Sequence, residues 1–141
     1  MECEFPSVNS TIDEIKEIFS NTKTIAILGL SPDASKASHR VAKYLKEQGF
    51  KIVPVYPKED EILGEKVYRC LAEIPFAVDM VDIFRKPKAL IAIAEAVLER
   101  GDVKTFWAQQ GIVNNEAAEM VEKAGLKVVQ NKCTMVEHAG L

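Results

Sequence analysis

Gly29, near the end of the apolar run 24–30, and Ser31, Lys36, Ser38, His39 and Arg40, just after it, together have the chemistry to hold a diphosphate. A glycine lets backbone come close to a phosphate, serines donate hydroxyls, and the first N–H groups of a helix face an anion. Lys36, His39 and Arg40 add positive charge. Cations are unfavourable at a helix N-terminus unless an anion joins them. The alternative for the same residues is a capped helix with a solvated basic first turn. Neither the dinucleotide pattern G-x-G-x-x-G nor a Walker loop is present.

A second cation, Lys58, ends Val55-Tyr56-Pro57-Lys58 after another apolar run, 51–56. An acid here would bind the two ribose hydroxyls of NAD, whereas a lysine attracts a phosphate on the ribose. The sign of the charge therefore points to coenzyme A or a similar cofactor over NAD. NADP satisfies the same cation, and an exposed loop lysine among Glu59, Asp60 and Glu61 is the plain alternative.

The elements that must position these groups alternate regularly. Strands are predicted at 24–30, 51–56, 78–84, 105–108 and 127–130. Helices are predicted at 38–48, 70–74 (short), 87–100 and 115–124, with Gly49, Gly101 and Gly125 at helix stops and Pro87 in a first turn. Ser10 or Thr11 caps a further helix through residue 20, with Glu14 completing the box after Thr11. The pattern is α/β: one Rossmann-like, doubly wound parallel sheet of five strands, with order 3-2-1-4-5 as the natural expectation. Residues 1–23 read as an N-terminal helical extension and 24–141 as the nucleotide-binding domain. Ligands of such sheets sit beyond the carboxyl ends of the strands. That rim collects residues 29–36, 56–58, 84–86, 109–111 and 131–133.

With 141 residues, 48% hydrophobic and 28% charged, the chain makes one ordinary domain. The 18 Lys and Arg are scattered among 21 acids for a net charge of −3, which is no footprint for nucleic acid. No apolar run is long enough to span a membrane, and Met1-Glu2-Cys3-Glu4 is acidic where a signal peptide is basic, so a cytoplasmic protein is expected. Cys3, Cys70 and Cys133 are odd in number and lack ligand spacing, so they read as free thiols rather than a disulfide framework or a zinc site. Asp79 and Asp82 are a candidate carboxylate pair, but positions three apart on a strand face opposite ways. One of them is expected to satisfy backbone donors, and Asp82 is the better candidate for the functional edge. Phe106 and Trp107 read as core or subunit-interface residues.

Five ordered motifs carry a family resemblance: Ile27-Leu28-Gly29-Leu30-Ser31, Val53-Pro54-Val55-Tyr56-Pro57, Val78-Asp79-Met80-Val81-Asp82-Ile83-Phe84-Arg85, Trp107-Ala108-Gln109-Gln110-Gly111-Ile112 and Cys133-Thr134-Met135-Val136-Glu137-His138. The chain resembles the small single-domain coenzyme A-binding proteins, which are similar to the nucleotide-binding domain of the succinyl-CoA synthetase alpha subunit. The resemblance implies that Gly29, Ser31, Lys36, Ser38, His39 and Arg40 face the diphosphate. It implies that Val55, Pro57 and Lys58 hold the adenosine end with its 3′-phosphate, that Phe84 and Arg85 border the nucleotide, and that Gln110 and Gly111 lie toward the pantetheine arm. Tyr56 departs from the asparagine of the family pattern, and Asn131-Lys132 from its Asp-Arg before Cys133.

The synthetase works through a phosphorylated histidine in a separate domain and a beta subunit, for which this chain has no room. His39 and His138 fall in a helix start and a C-terminal tail, and neither reads as a catalytic base. Cys133 stands where the pantetheine thiol should end, with Lys132 and His138 near in sequence to lower its pKa, and a reversible mixed disulfide with the coenzyme is expected; a buried inert thiol is the alternative. The leading expectation is a non-catalytic binding protein for coenzyme A or an acyl-CoA, acting as carrier, store, sensor or accessory subunit. The alternative is an NADP-dependent oxidoreductase or a small acyl-CoA enzyme. A redox-responsive regulator is a third reading, working through a protein partner because the residues before 24 are too few for a winged helix. A homodimer is compatible with any of them.

Overall fold

Thr11 opens the first helix, α1 (Ile12–Ser20), with a full capping box: its hydroxyl accepts from Glu14 N–H and the Glu14 carboxylate accepts from Thr11 N–H. The computed structural model describes residues 5–141, so Cys3 lies outside the described residues. The elements that follow are β1 (Thr24–Leu28), α2 (Ala37–Glu47), β2 (Lys51–Val55), a ribbon of β3 (Glu61–Ile62) and β4 (Glu65–Lys66), β5 (Met80–Ile83), α3 (Leu90–Arg100), β6 (Thr105–Ala108), α4 (Asn115–Lys123), β7 (Lys127–Val129) and α5 (Thr134–Ala139). Short 3₁₀ turns cover Leu71–Glu73 and Pro87–Ala89; the first replaces the short helix expected at 70–74, and the second brings Pro87 into α3. The ribbon and α5 were not expected from the sequence.

β1, β2, β5, β6 and β7 form the expected five-stranded parallel sheet, but in the order β2-β1-β5-β6-β7. This corrects the 3-2-1-4-5 expectation, because the third long strand lies beside the first and not outside the second. Two observations explain it. Pro54 sits within β2 and has no N–H to give a second neighbour, which suits an edge strand. The outer side of β2 is met instead by Tyr68, which donates to Pro54 O at 3.0 Å and accepts from Tyr56 N–H at 3.0 Å. β5 is meanwhile pinned to β1 at both ends. Asp79 accepts from Lys23 and Thr24 N–H at 2.9 and 3.0 Å, and Phe84 N–H donates to Leu28 O at 2.9 Å.

Each strand of this five-stranded sheet buries both faces, as a doubly wound sheet requires. Ile25, Ile27, Ile52, Met80, Trp107 and Val129 pack with α1 and α2 on one side. Ala26, Val53, Val81, Ile83, Phe106 and Val128 pack with α3 and α4 on the other. Phe106 and Trp107 are fully buried core residues. Arg100, at the end of α3, secures the stretch before β5 by donating to the carbonyls of Leu71, Ile74 and Phe76 while pairing with Asp102 at 2.9 Å. No helix among the described residues is long and apolar enough to cross a membrane.

Candidate functional site

Strand order reverses between β1 and β5: from β1 the chain goes outward to β2, and from β5 it runs the other way to β6 and β7. The crevice at such a switch point is where open α/β sheets take ligands. Here it measures about 180 Å³ and is lined by Leu28, Gly29, Val55, Arg69, Arg85 and Ile93 among others. Gly29 has φ +86, and a Cβ at this position would stand 2.5 Å from Phe84 O and 3.1 Å from Arg85 Cδ. The β1 and β5 ends therefore approach through a place only glycine can fill.

Beyond Gly29 the chain folds into a hydrogen-bonded cap over α2. Ser31 N–H donates to the buried Ser38 hydroxyl at 3.0 Å, and Asp33 N–H donates to the Ser31 hydroxyl at 3.1 Å. His39 Nδ1 lies 2.9 Å from Ser31 O; a carbonyl only accepts, so the proton sits on Nδ1. That bond gives His39 a structural role. Ser35 N–H and hydroxyl both donate to Asp33, and these bonds hold the Asp33 carboxyl below its usual range. Arg40 donates to Ser35 O. Lys36 is the N-cap of α2 but makes no side-chain cap bond, and the first turn holds no acid, unlike α1 with Asp13 and Glu14 or α4 with Glu116. The first turn of α2 is thus electrostatically arranged for an anion.

Pro57 and Lys58 are exposed on the loop after β2. The shape of this loop depends on Arg69, whose Nη1 donates to Tyr56 O, Lys58 O and Glu59 O at 3.1, 3.0 and 2.8 Å. Arg69 also faces the crevice, where it and Arg85 supply two positive charges. Sequence reading missed it because the contact that places it, Tyr68 on Val55, is non-local and follows no pattern of spacing.

At the far end of the rim, the turn after β6 and the segment after β7 are tied together. Gly111 N–H donates to Asn131 Oδ1 at 2.7 Å, Asn131 N–H donates to Ile112 O at 3.3 Å, and Trp107 Nε1 donates to Lys132 O at 2.8 Å. Asn131 has φ +58, a conformation asparagine tolerates better than most residues. Cys133 is a half-buried free thiol preceding α5, and Cys70 is an exposed one beside Arg69 in the crevice. His138 belongs to α5, not to an irregular tail. Its Nδ1 lies 2.8 Å from Tyr44 Oη and its ring packs on Phe19, Tyr44 and Phe50, which makes it a packing residue.

The two aspartates have separate tasks, as their spacing implied. Burial pushes Asp79 up, but the N–H groups of Thr24 and Lys23 and the Lys104 ammonium win and hold it below its usual range. Asp82 is completely buried, with Gln109 Nε2 donating to Oδ1 and Thr134 Oγ1 donating to Oδ2 at 2.9 Å. Burial raises its pKa to about 7 against those two bonds.

Of the residues expected at the site, Gly29, Val55 and Arg85 line one crevice. Ser31, Ser38, His39 and Arg40 are joined in the cap, while Lys36 begins α2 beside it. Pro57 and Lys58 sit on the Arg69-held loop, half-buried Phe84 continues β5, and exposed Gln110 and Gly111 share the far rim with Cys133.

A profile described as the CoA binding domain matches residues 23–139. The chain is 43% identical to the uncharacterized protein YneT of Bacillus subtilis, over 93% of this chain and 96% of that one. It is 32% identical to the alpha subunit of an ADP-forming acetate–CoA ligase II of Pyrococcus furiosus, over 89% of this chain but only 30% of the subunit. A solved structure of a hypothetical protein from Pyrococcus horikoshii superimposes with TM-score 0.90 at 38% identity, covering 100% of this chain and 99% of that one.

Proposed function

The chain belongs to the CoA binding domain family, and from that premise we propose that it binds coenzyme A or an acyl-CoA at the β1–β5 switch point. The single observation that supports this most is the Gly29 approach to Phe84 beside Arg69 and Arg85, at the mouth of a helix whose first turn is basic. In this reading Gly29, Ser31, Lys36, Ser38, His39 and Arg40 face the diphosphate. Val55, Pro57 and Lys58 take the adenosine and its 3′-phosphate, with Arg69 as an added cation. Phe84 and Arg85 border the nucleotide, and Gln110 and Gly111 guide the pantetheine arm toward Cys133.

The protein acts in this proposal as a cytoplasmic, non-catalytic carrier, sensor or accessory subunit, working as a homodimer or with a protein partner. Residues 1–23 form its extension and 24–141 its coenzyme-binding unit. The ligase subunit it resembles is more than three times the matched length, which agrees with a separable coenzyme-binding part. Cys133 supplies a redox function by exchange with coenzyme A disulfide. Its thiolate attacks one sulfur, a protein–coenzyme S–S bond forms, the original S–S bond breaks, and one coenzyme A thiolate leaves. Mass measurement after incubation with coenzyme A disulfide tests this. An adduct of coenzyme A mass that reductant removes and Cys133→Ser abolishes is expected; an adduct that survives the substitution rejects the assignment. Preferential binding of NADPH over coenzyme A would overturn the reading as a whole.

A further inference from the structure

Asp82 lies in the middle of the sheet, flanked in register by Ile27 and Trp107, with no exposed surface. A carboxylate in such surroundings is costly unless its bonds are complete, and among the described residues no cation pairs with it. Its bonds are complete in a particular way. The two amide protons of Gln109 go to Asp82 Oδ1 and to Thr134 Oγ1, and the Thr134 hydroxyl donates to Asp82 Oδ2. Three side chains thus close a ring, each from a different segment.

Those segments are the ones that build the rim. Asp82 is followed two and three residues later by Phe84 and Arg85. Gln109 starts the turn carrying Gln110 and Gly111, closed by Ile112 N–H on Gln109 O at 3.0 Å. Thr134 is the first residue of α5, and Cys133 precedes it. The Asn131 to Gly111 bond fastens the second and third segments again at the surface. An apolar residue at position 82 would avoid the desolvation cost of a carboxylate but would leave Gln109 and Thr134 untethered.

We propose that Asp82 is a positioning residue for the sulfur-bearing end of the coenzyme: through Gln109 and Thr134 it sets where Gln110, Gly111 and Cys133 stand relative to the nucleotide crevice. This rests on the coenzyme A reading above. None of the three ring residues lines the crevice that would hold the nucleotide half, and β5, which carries Asp82 and leads into Phe84 and Arg85, is held to β1 by its own backbone bonds, so the ring acts mainly on the arm that runs toward Cys133.

The test compares Asp82→Asn, Thr134→Val and Thr134→Ser, the first two close in shape to the native residues and the third retaining the hydroxyl. Affinity is measured by calorimetry for coenzyme A and for 3′-phospho-ADP, the nucleotide half alone. Asp82→Asn and Thr134→Val should lose about tenfold or more for coenzyme A and keep 3′-phospho-ADP within about twofold, with Thr134→Ser close to the native protein. Equal losses for both ligands, or no loss for either, would overturn the proposal. A native protein that binds neither ligand would reject the coenzyme A reading, and the ring would still be tested by the modification rate of Cys133 with an aromatic disulfide in a Cys3→Ser, Cys70→Ser background. That rate should rise about fivefold or more in Asp82→Asn and in Thr134→Val, and stay near native in Thr134→Ser. An unchanged rate in the first two would contradict the positioning role.

Discussion

Asp82→Asn should change how stability depends on pH, and the size follows from burial. An unfolded aspartate titrates near about 3.9, while the native group is raised to about 7 because ionising it means leaving a charge in the core. Between those values the native state holds a proton that the unfolded chain has released. Stability from this group is therefore full below the unfolded value and is lost as pH rises to the folded value. From pH 5.5 to pH 8.5 the loss covers about 1.5 pKa units, or about 2 kcal/mol at about 1.36 kcal/mol per unit. Asp79 and Asp102, both held below their usual range, act in the opposite sense and only at more acid pH. The histidines cancel between native and variant proteins. Urea unfolding followed by the fluorescence of Trp107, the chain's one tryptophan and fully buried, measures the difference at the two pH values. The stability of Asp82→Asn relative to native should rise by about 2 kcal/mol from pH 5.5 to pH 8.5. A gap between the two proteins that stays constant to within about 0.5 kcal/mol would refute the claim that this carboxyl is buried without a compensating charge.

Gly29→Ala should cost about 2–4 kcal/mol, combining left-handed strain with a collision against the Phe84 carbonyl, and should abolish coenzyme A binding; thermal unfolding and calorimetry read both effects. Lys58→Glu should weaken coenzyme A about tenfold and leave 3′-dephospho-CoA almost unchanged, as a titration with each ligand will report. Arg69→Ala should weaken both ligands, because it removes a crevice cation and also frees the carbonyls of Tyr56, Lys58 and Glu59; calorimetry should give about tenfold for each. Replacing Thr11 with Ala should lower stability by about 1 kcal/mol through loss of the α1 cap, visible as a lower Tm with coenzyme binding unaffected.

Local chemistry made the fold class readable. Apolar runs of strand length gave all five strands to within a few residues, the Thr11 and Glu14 box marked α1, and glycines marked the ends of α2, α3 and α4. The strand order was misjudged although Pro54 carried the signal: a proline inside a run of this kind belongs on a sheet edge. α5 was missed because it has only six residues and its helical form is held by tertiary contacts, with Thr134 bonded to Asp82 and His138 set among Phe19, Tyr44 and Phe50. At the site, Gly29 and the α2 start were legible because glycine, serine and cations have local uses. Arg69 and the Asp82 ring were not, since the first works through carbonyls ten to thirteen positions away and the second joins residues 82, 109 and 134.

Coenzyme A and 3′-dephospho-CoA titrated in parallel into the native protein test the central claim most directly. Saturable one-to-one binding of coenzyme A, at least about tenfold tighter than the dephospho form, is the predicted result. Equal affinity for the two would contradict the role given to the cations after β2, and no binding of either would contradict the site itself.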